Sequence, residues 1–221
     1  MVGKEKHLMN WLFAAVIAFG LTAAPLRAQD LPPPPAGHYT LDLGHARLLF
    51  RVDHLGISKY TAMFTRFDAE LQFDPAAPEA MALRVTVDPA SVETHYPDAG
   101  LDFNAVLAGP EFLDAAQFPQ MEFISTKITR TGENTADVTG DLTLHGVTAP
   151  VVLATVFNGG YGANSFDPGG ARIGFSATGN LLRSAFGIGY GVPAPDSDFG
   201  VSDRVEIIIE AEFSNPEAKQ P

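Results

Sequence analysis

Apolar and polar side chains alternate one by one along most of this chain, and that period of two is the pattern of half-buried β-strands. Leu48, Phe50 and Val52 stand against Leu49, Arg51 and Asp53, and Leu83, Val85 and Val87 against Arg84, Thr86 and Asp88. Val138, Gly140, Leu142 and Leu144 alternate with Thr139, Asp141, Thr143 and His145. The last run is the clearest: Val205, Ile207, Ile209, Ala211 and Phe213 against Arg204, Glu206, Glu210 and Glu212, with Ile208 the one exception. One dry face and one wet face are what antiparallel strands around a single interior require.

The same reading predicts further strands over Tyr39–Asp42, Tyr60–Phe73, Met121–Arg130, Val151–Phe157 and Arg172–Leu181. Turn chemistry separates them in "FDPAAPE", "RTGENT", "HGVTAP" and the glycine-rich "NGGYGANSFDPGG". The expected fold is all-β, an antiparallel barrel of about eight strands, a size that can hold one small ligand. Leu101–Ala116 lacks the alternation and is expected to supply one or two helical turns over a barrel end. Inward positions mix large residues (Phe50, Phe123, Phe175, Ile207) with small ones (Gly140, Ala177, Gly179, Ala211). Two readings stay open here. The small residues either relieve crowding in a packed core or leave an apolar cavity.

Residues 1–28 read as a secretory signal. Lys4 and Lys6 precede an uncharged apolar run, Trp11–Ala24, and "PLRAQD" offers Ala28 as the last residue before cleavage. That run is shorter than the ~20 residues a spanning helix needs, which argues against a retained anchor. Removing the segment takes away Lys4, Lys6, Arg27 and Glu5. The 14 basic and 26 acidic residues become 11 and 25, and the formal charge moves from −12 to −14. So acidic a surface repels phosphate backbones, which excludes nucleic acid as an expected partner. The chain has no cysteine, so it has no disulfides, thiol catalysis or lipid-bearing cysteine. The mature protein is expected to be soluble, without stable membrane insertion. Its length suits a single domain, with a proline-rich leader over 29–36, the folded unit over 37–213 and a flexible tail over 214–221.

Catalytic signals are thin. No G-x-S-x-G elbow occurs, and "FGIGYG" lacks the spacing and context of a dinucleotide site, so it reads as a loop. His38, His45, His54, His95 and His145 include no pair spaced to bind one metal from one element. No metal is expected, although a site assembled from distant strands stays open. Asp102 and Glu111, near the expected cap, are the nearest approach to a carboxylate pair, and their plainer reading is helix capping and surface.

Several stretches together resemble the YceI-like polyisoprenoid-binding proteins. "YTLDLGHARLLFRVDHLGISKYTAMFTRF" is similar to that family's opening, and "LQFDPAAPEAMALRVTVDPASVET" to its next two strands and the loop after them. "LAGPEFLDAAQFPQMEFISTKI" resembles its helical cap and following strand, "VTGDLTLHGVTAPVVL" its central hairpin, and "LLRSAFGIG" with "VSDRVEIIIEAEF" its ending. The match spans nearly all of the mature chain.

The resemblance implies a lipocalin-like barrel with a short helical cap, exported to the periplasm and holding an isoprenoid lipid without catalysis or a catalytic cofactor. The cavity candidates are then Phe50, Val52, His54, Phe64, Phe103, Val106, Phe123, Gly140, Leu142, Phe175, Ala177, Phe186, Ile207 and Ile209. Family members commonly carry an Arg-Asp pair and a His where Phe103, Asn104 and Val106 stand, and a Gly at the place of Ala62. A cap without those charges favours a neutral head, such as a quinone, over a polyprenyl phosphate. Transport or sequestration of such a lipid is the leading function, and a homodimer is compatible with it. The alternatives are an envelope enzyme acting on a lipid or sugar, and a ligand-free interaction module working through the loops 159–170 and 187–203.

Overall fold

The computed structural model describes residues 31–195, 197 and 199–218. The expected signal segment, residues 1–28, and the last three residues of the tail lie outside the described residues. Eleven strands form one antiparallel sheet: β1 (Gly37–Leu41), β2 (Arg47–His54), β3 (Ser58–Phe64), β4 (Phe67–Phe73), β5 (Ala82–Val87), β6 (Val92–Glu93), β7 (Met121–Arg130), β8 (Thr135–Leu144), β9 (Val147–Tyr161), β10 (Ala171–Leu182) and β11 (Val201–Asn215). One short helix, α1 (Phe103–Ala108), lies in the segment expected to cap the barrel. Eight of the strands close a ring in the order β1-β4-β5-β7-β8-β9-β10-β11, and β11 returns to pair with β1.

The long last strand builds the rest. β11 pairs with β1 near Phe213 and with β2 from Val205 to Glu210, so β1 and β2 lie end to end along it. The stretch 60–73, expected as one strand, is β3 and β4 with a break at Thr65 and Arg66. There Thr65 N–H donates to the Ser91 carbonyl at 3.0 Å and Arg66 N–H to Ser91 Oγ at 3.0 Å, so these amides leave the ladder. β4 continues in the ring while β3 splays outward and pairs with the two-residue β6. From Ser58 to Ala62 the outer edge of β3 has no strand partner among the described residues. The wall therefore opens on that side, and α1 with its flanking chain covers the opening.

Register fixes the height of each inward residue. One row holds Leu181, Val205, Val52 and Tyr60, the next Gly179, Ile207, Phe50 and Ala62, and the third Ala177, Ile209, Leu48 and Phe64. Below them the interior is solid. Tyr39, Phe73, Phe157, Phe175 and Phe213 form a chain of rings with successive centroids 5.4, 5.9, 5.3 and 6.0 Å apart, closing one end with an aromatic floor. Such offset and edge-on pairs add about 0.5–1.5 kcal/mol each beyond their burial.

A charged clasp holds the outside of that floor. Arg172 on β10 donates to Asp42 at the β1–β2 corner (2.6 Å) and to Asp167 in the β9–β10 loop. The guanidinium, then His45, hold the Asp42 carboxyl down at about 2. Asp167 is also lowered, first by the Gly169 amide and then by the Tyr161 hydroxyl. The proline-rich leader is tied down here. Its Pro32 carbonyl accepts from Gly162 N–H at 2.6 Å, and its Pro35 carbonyl from the Tyr39 hydroxyl at 2.8 Å.

Candidate functional site

Above the aromatic floor the barrel is hollow. A cavity of about 570 Å³ fills the upper three rows and runs to the capped opening. Its wall is almost wholly aliphatic and aromatic. Because they border a void, the inward residues Val205, Ile207, Ile209, Leu142 and Leu181 are only partly buried.

Nine of the fourteen sequence candidates line it: Phe50, Val52, His54, Phe64, Phe103, Phe123, Leu142, Ile207 and Ile209. The structure places the other five elsewhere. Phe175 belongs to the aromatic floor, stacked between Phe157 and Phe213. Ala177 is buried in the packed cluster at the boundary between floor and cavity. Gly140 faces inward, but its missing Cβ is the space the Phe123 ring occupies; a Cβ there would lie 2.4 Å from Phe123 Cζ. Phe186 is fully buried under the β10–β11 connection, where its carbonyl meets His145 Nδ1 at 3.1 Å. Val106 lies on the outer side of α1, 38 % exposed. Of the two open readings of the small inward residues, relief of crowding holds: Gly140, Ala177, Gly179 and Ala211 are absent from the cavity wall. Glycine and alanine relieve crowding, and the void arises from where the strands splay.

The cap is built from local chemistry. Asp102 accepts from Ala105 N–H at 2.9 Å and starts α1, its plainer expected role. Asn104, one of the departures from the resembled pattern, accepts from both Thr94 N–H (2.9 Å) and Thr94 Oγ1 (2.6 Å), tying α1 to the end of β6. Phe103 then turns inward, edge-on to Tyr60 at 6.1 Å and tilted against Tyr96 at 5.0 Å. Sequence reasoning did not select Tyr60, Tyr96 or Arg183. Tyr60 was accessible to it, being two residues from Ala62 and four from Phe64 on one strand face. Tyr96 lies in the loop after β6 and Arg183 opens the 3₁₀ turn after β10, where no period assigns a side.

Few polar groups touch the cavity, and most are engaged. Arg183 is buried without an ion pair among the described residues and donates to the carbonyls of Ser202, Ile188, Tyr190 and Val201; burial lowers its pKa. Glu122 is held by Arg84. The Tyr60 hydroxyl is buried and has no hydrogen-bond partner among the described residues. Asp42, His45 and Glu212 lie close enough together to suggest a metal. The Arg172 guanidinium already sits 2.6 Å from Asp42 and 3.9 Å from Glu212, and it supplies the positive charge a cation would bring.

A model of the YceI-like domain family matches residues 39–213. Among relatives, a UPF0312 protein of Pseudomonas savastanoi pv. phaseolicola is 40 % identical over 171 residues, 76 % of this chain and 85 % of that one. Among solved structures, BcnA of Burkholderia cenocepacia is similar with a TM-score of 0.64 at 27 % identity, covering 78 % of this chain and 98 % of that one. A polyisoprenoid binding domain from Saccharophagus degradans shares the fold alone, with a TM-score of 0.57 at 16 % identity over 80 % of this chain and 98 % of that one. With its closed ring of eight strands and a family match that runs from β1 into β11, the chain belongs to the YceI-like domain family.

Proposed function

We propose that this protein binds an amphiphilic isoprenoid in the barrel cavity and carries or stores it in the periplasm, without chemistry on it. The single observation that supports this best is the hollow, apolar upper half of the barrel above a solid aromatic floor. An engineered cavity of about 150 Å³ accommodates one benzene, so 570 Å³ corresponds to roughly four such rings, or on the order of 24 carbon atoms. At about 0.8 kcal/mol per methylene, that much chain returns roughly 20 kcal/mol gross. Ordering the chain offsets a large part of this. An isoprenoid much longer than five units extends past the mouth.

The fold precedent of a polyisoprenoid binding domain supports the ligand class. The polar groups suggest the orientation: tail on the floor, head under the cap. An unpartnered buried hydroxyl costs about 1–3 kcal/mol, which a ligand oxygen accepting from Tyr60 would recover. The N–H groups of Arg183 are engaged by four carbonyls and the cap residues Phe103 and Asn104 bring no charge, which supports a neutral head such as a quinone over a polyprenyl phosphate. Mass spectrometry of an organic extract of protein released by osmotic shock tests the whole reading. The expected result is a chain cleaved near Gln29 carrying a neutral isoprenoid. Uncut protein in the membrane pellet would remove the localisation. Shock-released protein free of any lipid would remove the ligand.

A further inference from the structure

We propose that the open end of the barrel is a docking face for a zwitterionic lipid surface, seated so that ligand passes between bilayer and cavity without crossing water. The inference rests on the lipid-binding reading of the cavity. Ile57 on the β2–β3 turn is 82 % exposed and Phe199 on the β10–β11 loop is 84 % exposed. Single exposed apolar residues are ordinary on any surface; these two are held together at the mouth. Leu55 N–H donates to the Gly200 carbonyl at 2.9 Å, which joins the two tips. Leu55 itself sits at φ 57°, a left-handed conformation that a bulky side chain rarely takes. Arg183 pins the two ends of the same loop through the carbonyls of Tyr190 and Val201 at 2.6 and 2.7 Å, so the chain directly after Phe199 is anchored at both Gly200 and Val201.

The apolar surface runs without a break from rim to wall. Two residues beyond Phe199 the chain lines the cavity at Val201, and three before Ile57 it does so at His54. Tyr190, more than half exposed, packs edge-on against the cavity residue Phe112 with centroids 5.2 Å apart. Aromatic residues with one wet and one apolar side collect where protein meets the lipid interface. A chain transferred through water would expose most of the surface whose burial drives binding, whereas a mouth seated in the interface keeps it covered. The charge of the rim narrows the partner. Asp53 and Asp203 flank these loops with Lys59 and Arg204 beside them, so the rim carries no excess of positive charge, and the chain's formal charge of −12, or −14 without residues 1–28, repels an anionic surface and leaves a zwitterionic one favoured.

The test uses delipidated mature protein, phosphatidylcholine vesicles and pyrene-labelled geranylgeraniol. Flotation of ligand-free protein and transfer of the probe from protein to vesicles are scored separately. The expected transfer rate rises in proportion to vesicle concentration. It falls at least tenfold in the I57D/F199D double variant, while equilibrium affinity for the probe stays within twofold. Phe166→Asp, at the 72 % exposed Phe166 beside the closed end, leaves transfer unchanged. Phosphatidylglycerol in the vesicles slows transfer, and salt restores it. Three results would overturn the docking face: a rate independent of vesicle concentration, a double variant as fast as the parent, or a change of oligomeric mass in the double variant, which would assign the face to a second copy. Flotation without any probe binding would instead sink the lipid-carrier reading and leave the membrane contact standing without its purpose.

Discussion

Enlarging one inward side chain should stabilise or destabilise this barrel according to its height, and Ile207→Trp against Ala177→Trp separates the two cases. Ile207 stands in the middle row, bordered by Gly179 and Phe50, and faces the 570 Å³ void. An indole needs on the order of 200 Å³ by the benzene yardstick, less what isoleucine already fills, so it fits without moving the wall. Its extra apolar area, roughly 80–100 Å², returns about 2 kcal/mol, and lost rotamer freedom takes back about 1. The delipidated variant should therefore match the parent or gain up to about 1 kcal/mol. Bound lipid should suffer, because the indole displaces several methylenes of chain; losing even two of them lowers affinity about tenfold or more. Ala177 is different, because it lies in the packed cluster just above the aromatic floor. Tryptophan there overpacks its neighbours and should cost about 1–3 kcal/mol or more. Urea unfolding of delipidated protein measures the first quantity and mass spectrometry of extracted lipid the second. They need separate samples, because ligand itself stabilises the fold. If Ile207→Trp lost more than about 2 kcal/mol while lipid remained, the void would not be available space and the reasoning would fail.

Gly140→Val should destabilise by at least about 2 kcal/mol in urea, since its Cβ would meet Phe123 Cζ at 2.4 Å and the Ile124 carbonyl at 2.5 Å; an unchanged midpoint would mean that β7 and β8 separate at little cost. At the cap, Phe103→Ala should weaken binding of a neutral isoprenoid at least fivefold, whereas Val106→His, on the outer side of α1, should leave the quinone-to-phosphate preference unchanged in a competition assay. The Asp42 carboxyl, held down at about 2 against an ordinary value near 4, contributes stability that is present above pH ~4 and lost as pH falls toward ~2. Arg172→Met should therefore cost about 1 kcal/mol at neutral pH, allowing for the clasp's partial exposure, and the gap to the parent should narrow in melts below pH ~3; a pH-independent gap would show that the packing of Arg172, not its charge, matters.

The alternation of Val205–Phe213 or Leu83–Val87 determines a strand, its wet face and its dry face, because a side chain's direction in a strand depends only on whether its position is odd or even. From such runs the sequence alone determined an all-β chain around one interior, and the quoted stretches in their order marked the family. Phe50, Val52, Phe123, Leu142, Ile207 and Ile209 were legible as cavity residues for the same reason, their inward face being visible in the alternation, whereas Phe103, in the segment without alternation, was legible only through the resemblance. Parity carries no information about height, and height decided the rest. Phe175 and Ile207 are equally inward by alternation; one stacks in the floor and the other borders a void, because register places Phe175 opposite Phe157 and Ile207 opposite Phe50. Nor could spacing show that β3 leaves the ring after Ser91 takes the amides of Thr65 and Arg66, the step that opens the wall for α1 to cover. Arg183, buried on four carbonyls of the β10–β11 loop and the start of β11, up to nineteen residues ahead of it, looked like any surface arginine in the chain. A contact between distant segments is set by how the closed sheet folds back on itself, and only the assembled barrel determines it.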